Sequence, residues 1–152
     1  MSSQAVNWVA SAKALFKAPK PKHFTDYRHC CECAEHDETL LSADIETIGL
    51  KELGNPGWDP MCFASPEGKK YYLPALIRVS LETIEKEFYL DQFLFHLEWD
   101  GPDNGFYLSC SKKQRAFIAD FLTYMIDAYA EIIENNFCAD SVLKCYEIWS
   151  RP

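Results

Sequence analysis

A chain of 152 residues can bury a real core and fits a single domain by ordinary size statistics. Its 48% hydrophobic and 14% aromatic content excludes a disordered chain. A net charge of −8 argues against nucleic acid as a partner, because phosphate backbones repel an acidic surface.

Residues 4–17 read as a helix, with Val9, Ala12 and Phe16 at three- and four-residue spacing. Pro19 and Pro21 break it and leave a short, stiff, basic linker. The expected organisation is therefore an N-terminal helix and Pro/Lys linker over 1–22, followed by a single helical domain over 23–152. The sequence leaves open whether this helix docks on the body or projects from it; docking would bury a modest area, with Trp8 and Phe16 as anchors, and the body is expected to fold without it. Lys13, Lys17, Lys20, Lys22 and Arg28 make this stretch basic, which suits a solvated tether better than a docking patch for an acidic partner.

Thr25 or Asp26 is a cap residue for a helix running to about Leu41. A short helix from Asp44 to Leu53 follows, with Gly54 as its stop. Asn55 to Pro60 is a turn-rich break, with Trp58 as a loop anchor, and Met61 to Ala64 reads as a short extended piece. Ser65-Pro66-Glu67 opens a helix to about Lys86, which Pro74 should kink or split. Phe88–Glu98 is a further helix, with His96 a core histidine on its apolar face. Asp100–Gly105 is a loop. Ser111 and Gln114 form a capping box for a long helix to Asn135, with Phe117, Phe121, Leu122, Met125 and Tyr129 as its stripe. A last helix runs from Asp140 or Ser141 through Trp149. The fold class expected is all-α or nearly so, a compact multi-helix domain with at most short strand pieces.

No apolar span is free of charge: Ile118–Ile133 carries Asp120, Asp127 and Glu131. An odd count of seven cysteines, two of them adjacent, and no secretion signal point to a reducing, cytoplasmic setting.

The chemistry concentrates in His29-Cys30-Cys31-Glu32-Cys33-Ala34-Glu35-His36-Asp37-Glu38. Thiolate and imidazole bind soft and borderline metals, and thiolates also carry redox chemistry. On a helix, His29, Cys33 and His36 stand at i, i+4 and i+7, with Cys30 and Asp37 on the adjoining face. Cys30, Cys33, His36 and His29 are thus the candidate metal ligands, with zinc the candidate ion and Asp37 or Cys62 as other fourth donors. Two further readings stand beside the metal site. Leu40 and Leu41 share the face of Cys30 and Cys33, so the cysteines fit a buried apolar stripe, with Cys33 less exposed than Glu32 or Glu35. Alternatively, Cys30 and Cys33 form a reactive C-x-x-C pair, against which nearby carboxylates work by raising a thiol pKa.

The same run resembles a motif of a bacterial family of uncharacterised proteins. So do Leu53-Gly54-Asn55-Pro56-Gly57-Trp58-Asp59-Pro60, Ser65-Pro66-Glu67-Gly68 with Tyr71-Tyr72-Leu73-Pro74-Ala75, and Leu90-Asp91-Gln92-Phe93-Leu94-Phe95-His96-Leu97. The resemblance covers roughly residues 23–125. It implies a soluble bacterial protein and no catalytic residues to carry over. The expected function is a non-catalytic interaction or accessory domain with a protein partner and a structural metal at the Cys/His cluster, without nucleic acid or membrane. The alternative is a metal- or thiol-dependent enzyme using the same cluster.

Overall fold

Ser2 takes an extended conformation and its side chain accepts the Ala5 N–H, which opens helix α1 (Ser3–Leu15). In the computed structural model, which describes residues 1–152, α1 is the first of eight α-helices, and no strand is present. The others are α2 (Cys31–Ser42), α3 (Leu50–Leu53), α4 (Pro66–Glu82), α5 (Leu90–Glu98), α6 (Gly105–Ser109), α7 (Lys112–Asn135) and α8 (Ala139–Trp149). The fold is all-α. No helix is long and apolar enough to cross a membrane. The chain divides into two units, Met1–Val79 and Ser80–Pro152, with the boundary inside α4.

In the first unit, α1 buries Ala5, Val9, Ala12 and Phe16, a full stripe at helical spacing. Phe16 is 2% exposed and Trp8 is half-buried, so Phe16 is the more deeply held of the two. The basic linker is held as well. Lys20 Nζ donates to the carbonyls of Leu41 and Ala43, at the C-terminal end of α2, and Lys13 pairs with Glu46 at 2.6 Å. The helix is packed rather than loosely tethered.

Helix α2 starts at Cys31, four or five residues later than its cap residues suggest. The cause is Asp37, whose buried carboxylate pulls residues 23–25 back across the helix (described below). The span from Asp44 to Ile48 turns instead of winding, because the Asp44 carboxylate accepts the N–H groups of Glu46 and Thr47. Only the four residues of α3 remain helical, and Gly54 caps them. The expected extended piece at Met61 is a 3-10 turn over Pro60–Cys62: Pro60 fixes its first φ, and Asp59 accepts the Met61 N–H.

Pro74 does not split α4, which is continuous from Pro66 to Glu82. Residues Tyr71 to Ile77 are all buried, so tertiary packing holds the helix through the proline. Tyr72 Oη lies 2.6 Å from the Leu40 carbonyl oxygen and 2.9 Å from that of Ala43, satisfying acceptors at the end of α2. Arg78 does the same for Ile45 and Ile48, at 3.0 and 2.6 Å.

The second unit packs α8 against α5 and α7. Trp149 Nε1 donates to the Leu97 carbonyl at 3.0 Å, and the rings of Phe106 and Tyr107 each lie 5.2 Å from Trp149. Helix α6 follows the expected Asp100–Gly105 loop, on residues to which the sequence pattern assigns no element: the Asn104 side chain caps it by accepting the Tyr107 N–H, while its amide donates to the His96 and Trp99 carbonyls. Helix α7 begins on the expected Ser111/Gln114 capping box. Phe121, Leu122 and Met125 are buried there; Phe117 and Tyr129 are only half-buried, and Tyr129 departs from helical geometry at φ −134 and ψ 29.

Helix α7 ends in a Schellman motif. The Cys138 N–H donates to Ile133 and the Phe137 N–H to Glu134. The left-handed position, which favours glycine, is occupied by Phe137 at φ 59, and its ring is 94% exposed. Phe137→Gly is therefore expected to stabilise the fold by about 1 kcal/mol, read as a higher urea midpoint at unchanged slope. A lower midpoint would show that the ring contributes to the folded state.

Candidate metal centre

The site sits where the chain enters α2. Cys30 is the N-cap, with φ −163 and ψ 172, and its Sγ accepts the Cys33 N–H at 3.4 Å. The helix therefore begins just after His29 and Cys30 instead of running through them. Cys33 lies in the first turn and is 7% exposed, whereas Glu32 is half-buried and Glu35 exposed. Cys30 Sγ stands 3.4 Å from Cys33 Sγ, and His29 Nδ1 stands 3.7 Å from Cys33 Sγ. The donor atoms of His29, Cys30 and Cys33 all lie within 4.8 Å of one another. This Cys/His group can hold a metal ion. All seven cysteines are free thiols.

The electrostatics separate the two thiols. Cys30 is lowered to about 7, first by the Cys33 backbone N–H, then by His29 and by the Cys33 thiol. Cys33 is raised, first because its hydrogen bond to Cys30 keeps the proton on Cys33, then by desolvation. His29 is raised by its contact with the Cys30 sulfur. The acidic neighbours expected to suppress thiolate at Cys30 are outweighed by the helix N-terminus and the imidazole, which act at shorter range.

His36 is not part of the group. It is 1% exposed, with its ring between Phe63, stacked at 4.7 Å, and Trp58 at 4.6 Å. Both ring nitrogens lack a hydrogen-bond partner. Glu32 Oε1 stands 3.6 Å from Nε2, an ion-pair distance for a protonated ring but too long for a hydrogen bond. His36→Phe is expected to leave metal content unchanged and to be neutral or stabilising by up to about 1 kcal/mol, since it keeps the stacked ring and removes two unpaired polar atoms. Loss of metal from that variant would return His36 to the ligand set.

Asp37 is committed elsewhere. Its Oδ1 accepts the N–H groups of Phe24 at 2.6 Å and Thr25 at 3.1 Å, and its Oδ2 meets His23 Nδ1 at 2.7 Å. Thr25 Oγ1 donates to the Cys33 carbonyl at 2.7 Å. Burial alone would raise the Asp37 pKa; the bonds from His23, Phe24 and Thr25 outweigh it and hold the carboxyl below its usual range. Part of Cys62 reaches solvent, yet its thiol is pushed up to about 11, first by desolvation and then by Asp59. It does not join His29, Cys30 and Cys33.

This clamp on residues 23–25 is the support beside the site that sequence reasoning missed. An aspartate one turn beyond Cys33 carries no mark of what it accepts, and His23 lies outside the Cys/His run.

No protein-family model, curated protein or solved structure matches the chain.

Proposed function

We propose that the chain is a non-catalytic interaction domain carrying one zinc ion on His29, Cys30 and Cys33. The observation behind this reading is the approach of those three donor atoms to within 4.8 Å. Two thiolates and an imidazole are a donor set that zinc prefers. Tetrahedral zinc, with Zn–S about 2.3 Å and Zn–N about 2.1 Å, separates two sulfurs by about 3.8 Å and a sulfur from a nitrogen by about 3.6 Å. The separations here, 3.4 and 3.7 Å, lie close to both edges. His29 and Cys30 are exposed, so a fourth position is open to water or to a donor from a partner.

The interaction half of the reading draws on exposed apolar side chains. Phe95 on the last turn of α5 and Trp99 at its C-cap are 47% and 65% exposed, with ring centres 5.6 Å apart. Phe137 adds a strained, exposed ring that folding alone does not account for. A protein partner suits such a surface, and the net negative charge disfavours nucleic acid. The free thiols and the resemblance to the bacterial family support a cytoplasmic, bacterial setting.

A thiol- or metal-dependent enzyme on the same cluster is the second reading, favoured by the lowered Cys30 pKa. The exposure of His29 and Cys30 weighs against it, because it leaves the donors without the walls that would orient a substrate.

Elemental analysis of protein purified without chelator tests the proposal. One zinc per chain is expected. Cys33→Ser should lower zinc content and melting temperature together, since an ion bound only by the folded state stabilises it. Protein without stoichiometric zinc, melting alike with and without chelator, would sink the reading.

A further inference from the structure

We infer that Cys30 and Cys33 form an oxidation switch on this site, in which a hydroperoxide closes the pair into a disulfide and the metal ion is released. The inference rests on the zinc reading above and adds a mode of regulation to it.

The geometry carries it. The two sulfurs already stand 3.4 Å apart, against about 2.05 Å in a disulfide. The remaining approach is small, and the residue that must move is free to move. Cys30 is the N-cap, outside the helix, extended and exposed. Rotation of its side chain breaks no helical backbone bond; it forfeits the Cys33 N–H contact to Cys30 Sγ and the His29 contact with the same sulfur. Cys33 is held in the first turn beneath it, 7% exposed and anchored by the Thr25 bond to its carbonyl. A diffusing oxidant therefore meets Cys30 first, and Cys33 is placed to resolve the product.

The donor count explains the release. Closing the disulfide removes two of the three grouped donors and leaves His29 alone. A single exposed imidazole does not retain zinc against water. Cys31 is also exposed, but it stands two residues before Cys33 on α2, about 200° around the helix, so the two do not face each other. Cys110, Cys138 and Cys145 are buried.

The steps balance with hydrogen peroxide as oxidant. The Cys30 thiolate attacks one peroxide oxygen and the O–O bond breaks, giving Cys30 sulfenic acid and a hydroxide that takes a proton to become water. The Cys33 thiolate attacks Cys30 Sγ, and the S–O bond breaks. The departing hydroxide takes a second proton. Two electrons pass from the sulfur pair to the peroxide, and one zinc ion leaves per disulfide formed.

The test uses the full chain loaded with zinc and titrated with hydrogen peroxide, with zinc followed by a chromophoric chelator and the sulfurs by peptide mass mapping. Cys31→Ser is run in parallel to simplify the map. The expected result is one zinc released per Cys30–Cys33 linked peptide, in both proteins, and recovery of binding after treatment with a dithiol reductant. Zinc retained through a molar excess of peroxide overturns the inference, as does zinc loss with sulfinic acid on Cys30 and no linked peptide; either leaves the zinc reading standing. A reduced protein that holds no zinc overturns that reading and the switch together. That failure is read before oxidant is added, which keeps the two apart.

Discussion

Replacing Asp37 with alanine is expected to destabilise the fold by about 3 kcal/mol at neutral pH, because it strips a buried carboxylate from two backbone N–H groups and an imidazole at once. The N–H groups of Phe24 and Thr25 are left buried without their acceptor, and that penalty exceeds the value of any one bond. Asp37→Asn should cost less, since its carbonyl oxygen still serves one or two donors. Urea denaturation of the three proteins at pH 7 measures the series. A loss below about 1 kcal/mol for Asp37→Ala would show that residues 23–25 are held by other contacts.

The same residue sets a pH dependence. Its folded pKa lies below the ordinary carboxylate value, so the folded state binds fewer protons than the unfolded chain. The stability it confers is fully present above the unfolded value, near about 4, and is lost as pH falls through the depressed folded value. The gap in stability between the native chain and Asp37→Asn should therefore be constant from neutral pH down to about 5 and narrow below that. A gap that widens on acidification would mean that the carboxyl is raised, with burial prevailing over its hydrogen bonds.

Residues whose partners are close in sequence were legible in advance. The Ser111/Gln114 box opens α7 because both bonds span three residues. Cys30 and Cys33 approach each other for the same reason, and His29 joins them from the adjacent position. The all-α class follows from apolar spacing repeated along the chain. What escaped depends on distant partners. His36 has ligand spacing, yet Trp58 and Phe63 enclose it from more than twenty residues away. The start of α2 is displaced by bonds between Asp37 and residues 23–25, which no cap rule contains. Pro74 is tolerated because the segment around it is buried on every side. In each case a local preference is real and a tertiary contact overrides it.

Deletion of residues 1–22 tests a further departure from the sequence pattern. Sequence spacing alone suggests a weakly held helix on a stiff linker, and a body indifferent to its loss. The buried stripe argues otherwise. Phe16 and Val9 are 2% and 7% exposed, and each is worth about 1.5–3 kcal/mol of apolar burial, with Ala5 and Ala12 adding smaller amounts. The deletion also bares the apolar surface that the stripe covers, and it frees the Leu41 and Ala43 carbonyls from Lys20. A total near 5 kcal/mol is a large part of the stability of an ordinary domain. The truncated chain is expected to melt more than about 10 °C below the full chain, or to aggregate. Phe16→Ala, which keeps the linker and the helix, separates packing from tethering: it should by itself cost about 3–4 kcal/mol, whereas Trp8→Ala, at a half-buried position, should cost far less. A truncated chain that melts cooperatively within a few degrees of the full protein would restore the tether, and would show that the stripe is covered without being needed.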